Sequence, residues 1–209
     1  VRLDAAARPS FTLTYDNESE PVTLKVHGEH FVQNALAAAA VALSLGISLD
    51  VVAAGLRIAG LDSKWRMEVH QIPGNVTIIN DAYNANPESM TAALRSLVLF
   101  AQERGGESWA FLGKMHELGE SSAAQHEAIG TLAQEIGIDH LVAIGAPEYG
   151  TPKGSMMVHH YASIEECVSM TDYFSAGDVA LVKASRSEGF EVLAQKLESM
   201  WLDKSGVES

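Results

Sequence analysis

The sequence predicts an α/β protein: a mostly parallel sheet with helices on both faces, preceded by a small unit of one hairpin and two helices. Three observations carry this. The first 30 residues alternate apolar and polar positions with period two, as strands with one buried face do. Two helical segments follow, punctuated by Gly46 and Gly60. Beyond a junction at residues 61–66, strand-length and helix-length segments alternate, the pattern of a parallel sheet.

In order, residues 11–15 and 22–26 read as strands, joined across the polar turn 16–21 into an antiparallel hairpin. Helices are expected over 31–45 and over 49–59, the latter with Asp50 near its start. Residues 68–72 and 76–80 read as strands joined by Pro73-Gly74-Asn75. A helix over 87–104 carries Pro87 in its first turn. Strand 109–112, helix 121–136 stopped by Gly137, strand 140–144 and strand 156–159 follow. Helix 163–174 has Ser163 as its cap and Glu165-Glu166 in its first turn. Strand 178–183 and helix 190–202 complete the reading. Ligands of such sheets sit beyond the carboxyl ends of the strands. The ends are 80–86, 113–120, 145–149 and 183–186, all rich in polar residues or glycine.

Composition narrows the function. With 209 residues, 47% of them apolar, a packed core is expected. Fourteen Lys+Arg face 27 Asp+Glu, a formal net charge of −13, which repels phosphate backbones and argues against nucleic acid as partner. A small polyanion remains compatible, since a few local cations can hold it. No apolar run is long enough to cross a bilayer, so no membrane partner is expected, and Val1-Arg2-Leu3-Asp4-Ala5 has no signal-peptide core, which points to the cytoplasm. Cys167 is the single cysteine, which excludes an internal disulfide and any multi-cysteine metal site. His159-His160 are adjacent, face opposite ways in a strand, and read as surface residues, so no metal site is expected. Gly113-Lys114-Met115 lacks the first glycine and the hydroxyl of a phosphate-binding loop, and neither a dinucleotide glycine fingerprint nor a serine-hydrolase elbow is present.

Five segments could carry chemistry. Gly28-Glu29-His30-Phe31-Val32-Gln33-Asn34 opens a helix, and its amide can pair with an adenine edge or simply cap the helix. Lys64-Trp65-Arg66-Met67 lies at the junction, where Arg66 presents a donor fork suited to phosphate or to an ion pair between domains. Asn80-Asp81-Ala82-Tyr83-Asn84-Ala85-Asn86-Pro87 leaves a strand and opens a helix. Its aspartate can accept ribose hydroxyls, and Tyr83 offers a flat face to a base, although a capped turn uses the same residue types. Residues 112–120 with His126, and residues 181–186 with Lys183 and Arg186, also follow strands, and the latter cations could hold a carboxylate or phosphate.

Together these segments resemble the Mur ligase family. The carrying motifs are Gly28-x-His30-x-x-x-Asn34, Trp65-Arg66-Met67-Glu68, residues 80–90, Leu112-Gly113-x-Met115-x-Glu117-Leu118-Gly119-Glu120 with His126, and Val182-Lys183-x-Ser185-Arg186. The chain departs at Phe31, where the family usually has Asn, at Lys114, where an acid is common, and at Ala184, where Gly is usual. The resemblance implies a piece of a longer enzyme: residues 1–62 as the end of a central ATP-binding domain, residues 63–209 as the Rossmann-like C-terminal domain. It implies a cytoplasmic, monomeric ligase of cell-wall synthesis that uses ATP and Mg²⁺, the latter bound mainly by the missing part. Residues 83–87 and 115–120 favour the member that joins D-alanyl-D-alanine to UDP-MurNAc-tripeptide through an acyl phosphate. By resemblance, His30, Asn34, Arg66, Asp81, Tyr83 and Asn84 touch the nucleotide. Asn86, Lys114, His126, Lys183, Ser185 and Arg186 touch substrate, and Arg66 and Lys183 are the catalytic pair. The alternatives are another amino-acid-adding member of the family, or a non-catalytic module that binds a nucleotide or a partner. The chain alone is expected to be inactive.

Overall fold

The computed structural model describes residues 1–4, 7–29, 31–60, 64–150 and 154–205. The chain divides into two units, Val1–Ser63 and Lys64–Ser209.

The first unit pairs β1 (Arg2–Leu3), β2 (Pro9–Tyr15) and β3 (Glu18–Thr23) antiparallel, in that order. The hairpin is tighter than the sequence reading expects. Tyr15 pairs with Glu18, so only Asp16 and Asn17 turn the chain. Both have positive φ, 46° and 67°, which matches the twist of the flanking strands. Residues 18–21 therefore belong to the strand, and β3 ends at Thr23 rather than continuing to Val26. Pro21 is tolerated because β3 is an edge. Helices α1 (Phe31–Ser44) and α2 (Leu49–Ile58) complete the unit. Its core joins Leu13, Val22 and Leu24 to Ala35, Ala39, Leu49, Val52 and Ala53. Only Val32, Ala35 and Ala39 of α1 are buried, although that helix is apolar almost all round.

The second unit holds six strands: β4 (Glu68–Ile72), β5 (Val76–Asn80), β6 (Ser108–Leu112), β7 (His140–Ile144), β8 (Met157–Tyr161) and β9 (Val179–Lys183). Their order is β4-β5-β9-β6-β7-β8, parallel except for β4, which pairs antiparallel with β5. Helix α3 (Pro87–Arg104) packs on β6, β9 and α4 (Ser122–Glu135). On the opposite face lie α6 (Phe190–Ser205), the short α5 (Ile164–Cys167) and a 3-10 segment over Val168–Tyr173. There Trp109, Phe111, Val142, Ala180 and Val182 meet Met170, Phe174, Leu193, Leu197 and Trp201. The expected single helix over 163–174 is thus two pieces. Val, Ser, Thr, Asp and Tyr crowd its second half, and all are weak helix formers. Likewise a 3-10 turn at Gly119–Ser121 precedes α4.

Strand β9 is last in sequence yet lies between β5 and β6. β5 leads into α3 on one face and β9 into α6 on the other, so their exits part and open a crevice.

Candidate functional site

Strand register builds the base of this crevice. Thr77 pairs with Val179 and Ile79 with Leu181, so two residues further on Asp81 and Lys183 share one face as neighbours. Lys183 Nζ lies 2.6 Å from Asp81 Oδ2, its side chain only 2% exposed and that of Asp81 12%. The same ammonium donates to the Asn84 carbonyl at 2.8 Å. Asp81 Oδ1 accepts from the Met67 backbone N–H at 2.9 Å. A buried lysine needs such a set of acceptors, and a buried carboxylate needs such donors. One pair therefore ties together the ends of β5 and β9 and the approach to β4.

That approach is bent. Trp65 (φ 61°) and Met67 (φ 48°) both sit in the left-handed region, which large side chains rarely adopt. The bend is held by the Met67 bond and by Tyr83 N–H donating to the Trp65 carbonyl at 2.9 Å. Between them, Arg66 lays its guanidinium over the Tyr83 ring at 4.0 Å. Its Nε is buried without a partner among the described residues. Arg186 does the same over the Trp65 ring at 4.2 Å, and donates from one nitrogen to Glu191 at 2.8 Å.

The β6 exit forms the other wall. Gly113 has no room for a side chain, since a Cβ there would stand 2.3 Å from the Phe190 ring and 2.8 Å from Ala184. Ala184 itself is buried and does not need a left-handed backbone, so the usual glycine is dispensable here. His126 is 3% exposed. Its Nε2 accepts from Met115 N–H at 2.9 Å while Nδ1–H donates to the Ser122 carbonyl at 2.7 Å, which fixes the tautomer. Tyr149 donates its hydroxyl to the Gly113 carbonyl at 2.7 Å, and burial pushes that phenol's pKa up. Ser185 Oγ accepts from His116 N–H at 2.9 Å.

Over this base lies a cleft of about 520 Å³ lined by residues from all three exits: Asn84, Ala85 and Asn86; His116, Glu117 and Leu118; Ser185, Arg186 and Ser187. Of the four strand ends singled out in the sequence, three meet here. The fourth, 145–149, buttresses Gly113 through Tyr149. Among the predicted site residues, Arg66, Asp81, Tyr83, Asn84, Asn86, Lys183, Ser185 and Arg186 come together in and around the crevice. Asn86 also caps α3, accepting from Ser89 N–H at 2.8 Å. Lys114 is exposed at the rim, and His126 lies beneath it. Asn34 is exposed on α1 of the first unit, and His30 lies outside the described residues. Sequence reasoning does not single out Trp65 as Arg186's platform, nor Ala85, Glu117, Leu118 and Ser187 as lining. Glu117 carries a structural signal, φ 63° at a non-glycine residue, that no sequence pattern announces.

His159 corrects a sequence expectation. Its neighbour His160 is exposed, but His159 is half-buried, 6.0 Å from the His140 ring, with Nε2 buried and unpartnered among the described residues. No helix among the described residues is long and apolar enough to cross a membrane.

A family profile described as "Mur ligase, glutamate ligase domain" matches residues 65–186, which include every residue lining the cleft except Ser187. The UDP-N-acetylmuramoyl-tripeptide–D-alanyl-D-alanine ligase of Mycobacterium tuberculosis is 40% identical over 225 residues, covering 94% of this chain and 43% of that protein. Among solved structures, MurF from Acinetobacter baumannii superposes with TM-score 0.80 at 32% identity, over 93% of this chain and 43% of that one. MurF from Thermotoga maritima in complex with ADP gives 0.77 at 26% identity, over 95% and 45%. The chain thus spans less than half the length of these relatives. With its profile match over residues 65–186, more than half of its length, the chain belongs to the Mur ligase family.

Proposed function

We propose that this chain is the carboxyl-terminal piece of a longer, cytoplasmic ATP-dependent ligase. The enzyme joins D-alanyl-D-alanine to UDP-MurNAc-tripeptide in peptidoglycan precursor synthesis. Residues 1–62 are assigned to the end of its ATP-binding domain and residues 63–209 to the domain that receives the amine substrate. The observation that carries this reading is the crevice itself: three strand exits converge at the switch point, with two stacked guanidinium groups beside a small cleft. The relatives named for this reaction match along almost the whole chain. The apolar residues Leu36 and Val41 of α1, Leu45 just beyond it, and Val51 and Ile58 of α2 are open to solvent, which supports further protein packing on this unit.

In this reading the chain's own residues bind and orient. Arg66, stacked on Tyr83 with its Nε still unpartnered, is set to meet nucleotide phosphate. Asp81 spends one hydrogen bond on each oxygen within the fold, which leaves about two of its four lone-pair sites for ribose hydroxyls. Lys183 acts by holding Asp81 and the Asn84 carbonyl, and His126 by holding Met115. Ser185 and Arg186 face the amine substrate together with Asn86 and Lys114. ATP supplies the leaving group that makes a carboxylate reactive toward an amine. The described residues form no cluster of three metal-ligating side chains, and Mg²⁺ is assigned mainly to the part of the enzyme outside this chain.

The test is turnover by the longer gene product. ADP release should require UDP-MurNAc-tripeptide and D-alanyl-D-alanine together, and Arg66→Ala should lower kcat by at least about tenfold. Equal turnover with a single amino acid in place of the dipeptide would assign the chain to another amino-acid-adding member. This 209-residue chain alone should release no phosphate from ATP.

A further inference from the structure

Resting on the reading above, we infer that the cleft takes its ligand as a zwitterion in one fixed direction, the carboxylate on Arg186 and the ammonium on Glu117. Among the nine residues lining it, these two carry the charges of fixed sign, Glu117 without a partner among the described residues and Arg186 paired to Glu191 through one nitrogen. Arg186 is half-exposed, flattened on Trp65 at 4.2 Å, and holds Glu191 through one nitrogen only, so the rest of its donor fork is available. Glu117 is exposed and makes no hydrogen bond or ion pair among the described residues. Its backbone is held at φ 63°, a conformation that non-glycine residues rarely adopt and that the surrounding fold must maintain.

Three of the other polar lining groups are already engaged in the fold, and the Asn84 amide and Ser187 hydroxyl are neutral. His116 Nε2 meets Glu188 at 2.6 Å, Ser185 Oγ accepts from His116 N–H, and Asn86 Oδ1 caps α3. They shape the walls rather than offer a charge. Ala85 and Leu118 also line the cleft and give it apolar wall suited to small side chains. A cleft of about 520 Å³ has room for a dipeptide of that kind. The chain's net charge of −13 would repel an anion, and one local cation matched by one local anion favours a ligand neutral overall but charged at both ends.

The experiment is calorimetric or NMR titration of this chain with four probes: D-alanyl-D-alanine, its N-acetyl derivative, its C-terminal amide, and L-alanyl-L-alanine. Removing either terminal charge should weaken binding about tenfold. Glu117→Gln should abolish the difference between the free and N-acetylated dipeptide while leaving the amide penalty intact. Arg186→Met should do the reverse. Both side chains are exposed, and an unchanged urea midpoint would show that the variants remain folded. Tolerance of both caps, the opposite pairing of variant and cap, or no binding of any dipeptide overturns the inference. Charge-dependent binding of the L but not the D form keeps the zwitterion and removes D-alanyl-D-alanine from the functional reading. Turnover of D-alanyl-D-alanine by the longer ligase without the charge pattern leaves that reading standing and removes this inference alone.

Discussion

The two ends of the six-stranded sheet use the same device for different purposes. At the amino end, Asp178 accepts from Glu107 N–H at 2.8 Å, Ser175 N–H at 2.9 Å and Trp109 Nε1–H at 3.1 Å. Asp139 accepts from the Ser108 N–H and hydroxyl at 2.9 and 2.8 Å. Each aspartate closes a strand start onto neutral donors. At the carboxyl end, Asp81 likewise takes a backbone N–H, but its second oxygen goes to an ammonium, and a cleft with a strained rim lies beside it. Both ends satisfy buried groups. The carboxyl end also sets its charges beside a cleft, which is what a site for charged ligands requires.

The contrast is broken most severely by removing one half of the buried pair. Lys183→Met should cost about 3–5 kcal/mol, because it strands a largely buried carboxylate. Adding Asp81→Asn should recover part of that loss. Urea unfolding followed by tryptophan fluorescence measures it well, since all three tryptophans, Trp65, Trp109 and Trp201, lie in the second unit. A double variant no more stable than Lys183→Met alone would show that the pair is not coupled. Next in size, Asp178→Ala should cost about 3 kcal/mol by leaving three donors unmet. It should leave amide resonances at Asn84 and Ser185 in place, whereas Lys183→Met should move them. Shifts of those resonances in Asp178→Ala would merge the two ends into one unit and undo the comparison.

How much of this is legible without coordinates depends on sequence distance. The alternation of segments after residue 66 specifies a parallel sheet because each strand and helix declares itself locally. Asn86-Pro87 likewise announces the start of α3, whose cap is a contact three residues long. The hairpin misleads because Glu18-Ser19-Glu20-Pro21 has turn composition, yet Asp16-Asn17 alone supplies the two positive φ values. Strand order is a different matter. Nothing near Lys183 states that β9 inserts between β5 and β6, so its pairing with Asp81, 102 residues away, cannot be read locally. The same insertion sets Arg186 on Trp65 and creates the cleft. The motifs name most of the participants, and the topology assigns their contacts.

The smallest of these effects sharpens the amino end. His140 stacks on Trp109 with ring centroids 3.5 Å apart, and its Nε2 meets Glu107 at 2.9 Å. His159 lies beyond it in β8. Desolvation first, then the neighbouring His140 and His160, push its pKa below the ordinary 6.5. The folded chain therefore keeps His159 neutral at pH values where the unfolded chain protonates it. The unfolded state binds the extra proton, so stability falls as pH drops through 6.5 toward the lower folded value. Urea midpoints at pH 7.5 and 5.5 should show the decrease, and His159→Gln should show a smaller one. Equal decreases in the two proteins would place the acid sensitivity elsewhere. A decrease confined to the parent would show that the closed end of the sheet, and not the ligand end, carries the chain's sensitivity near neutral pH.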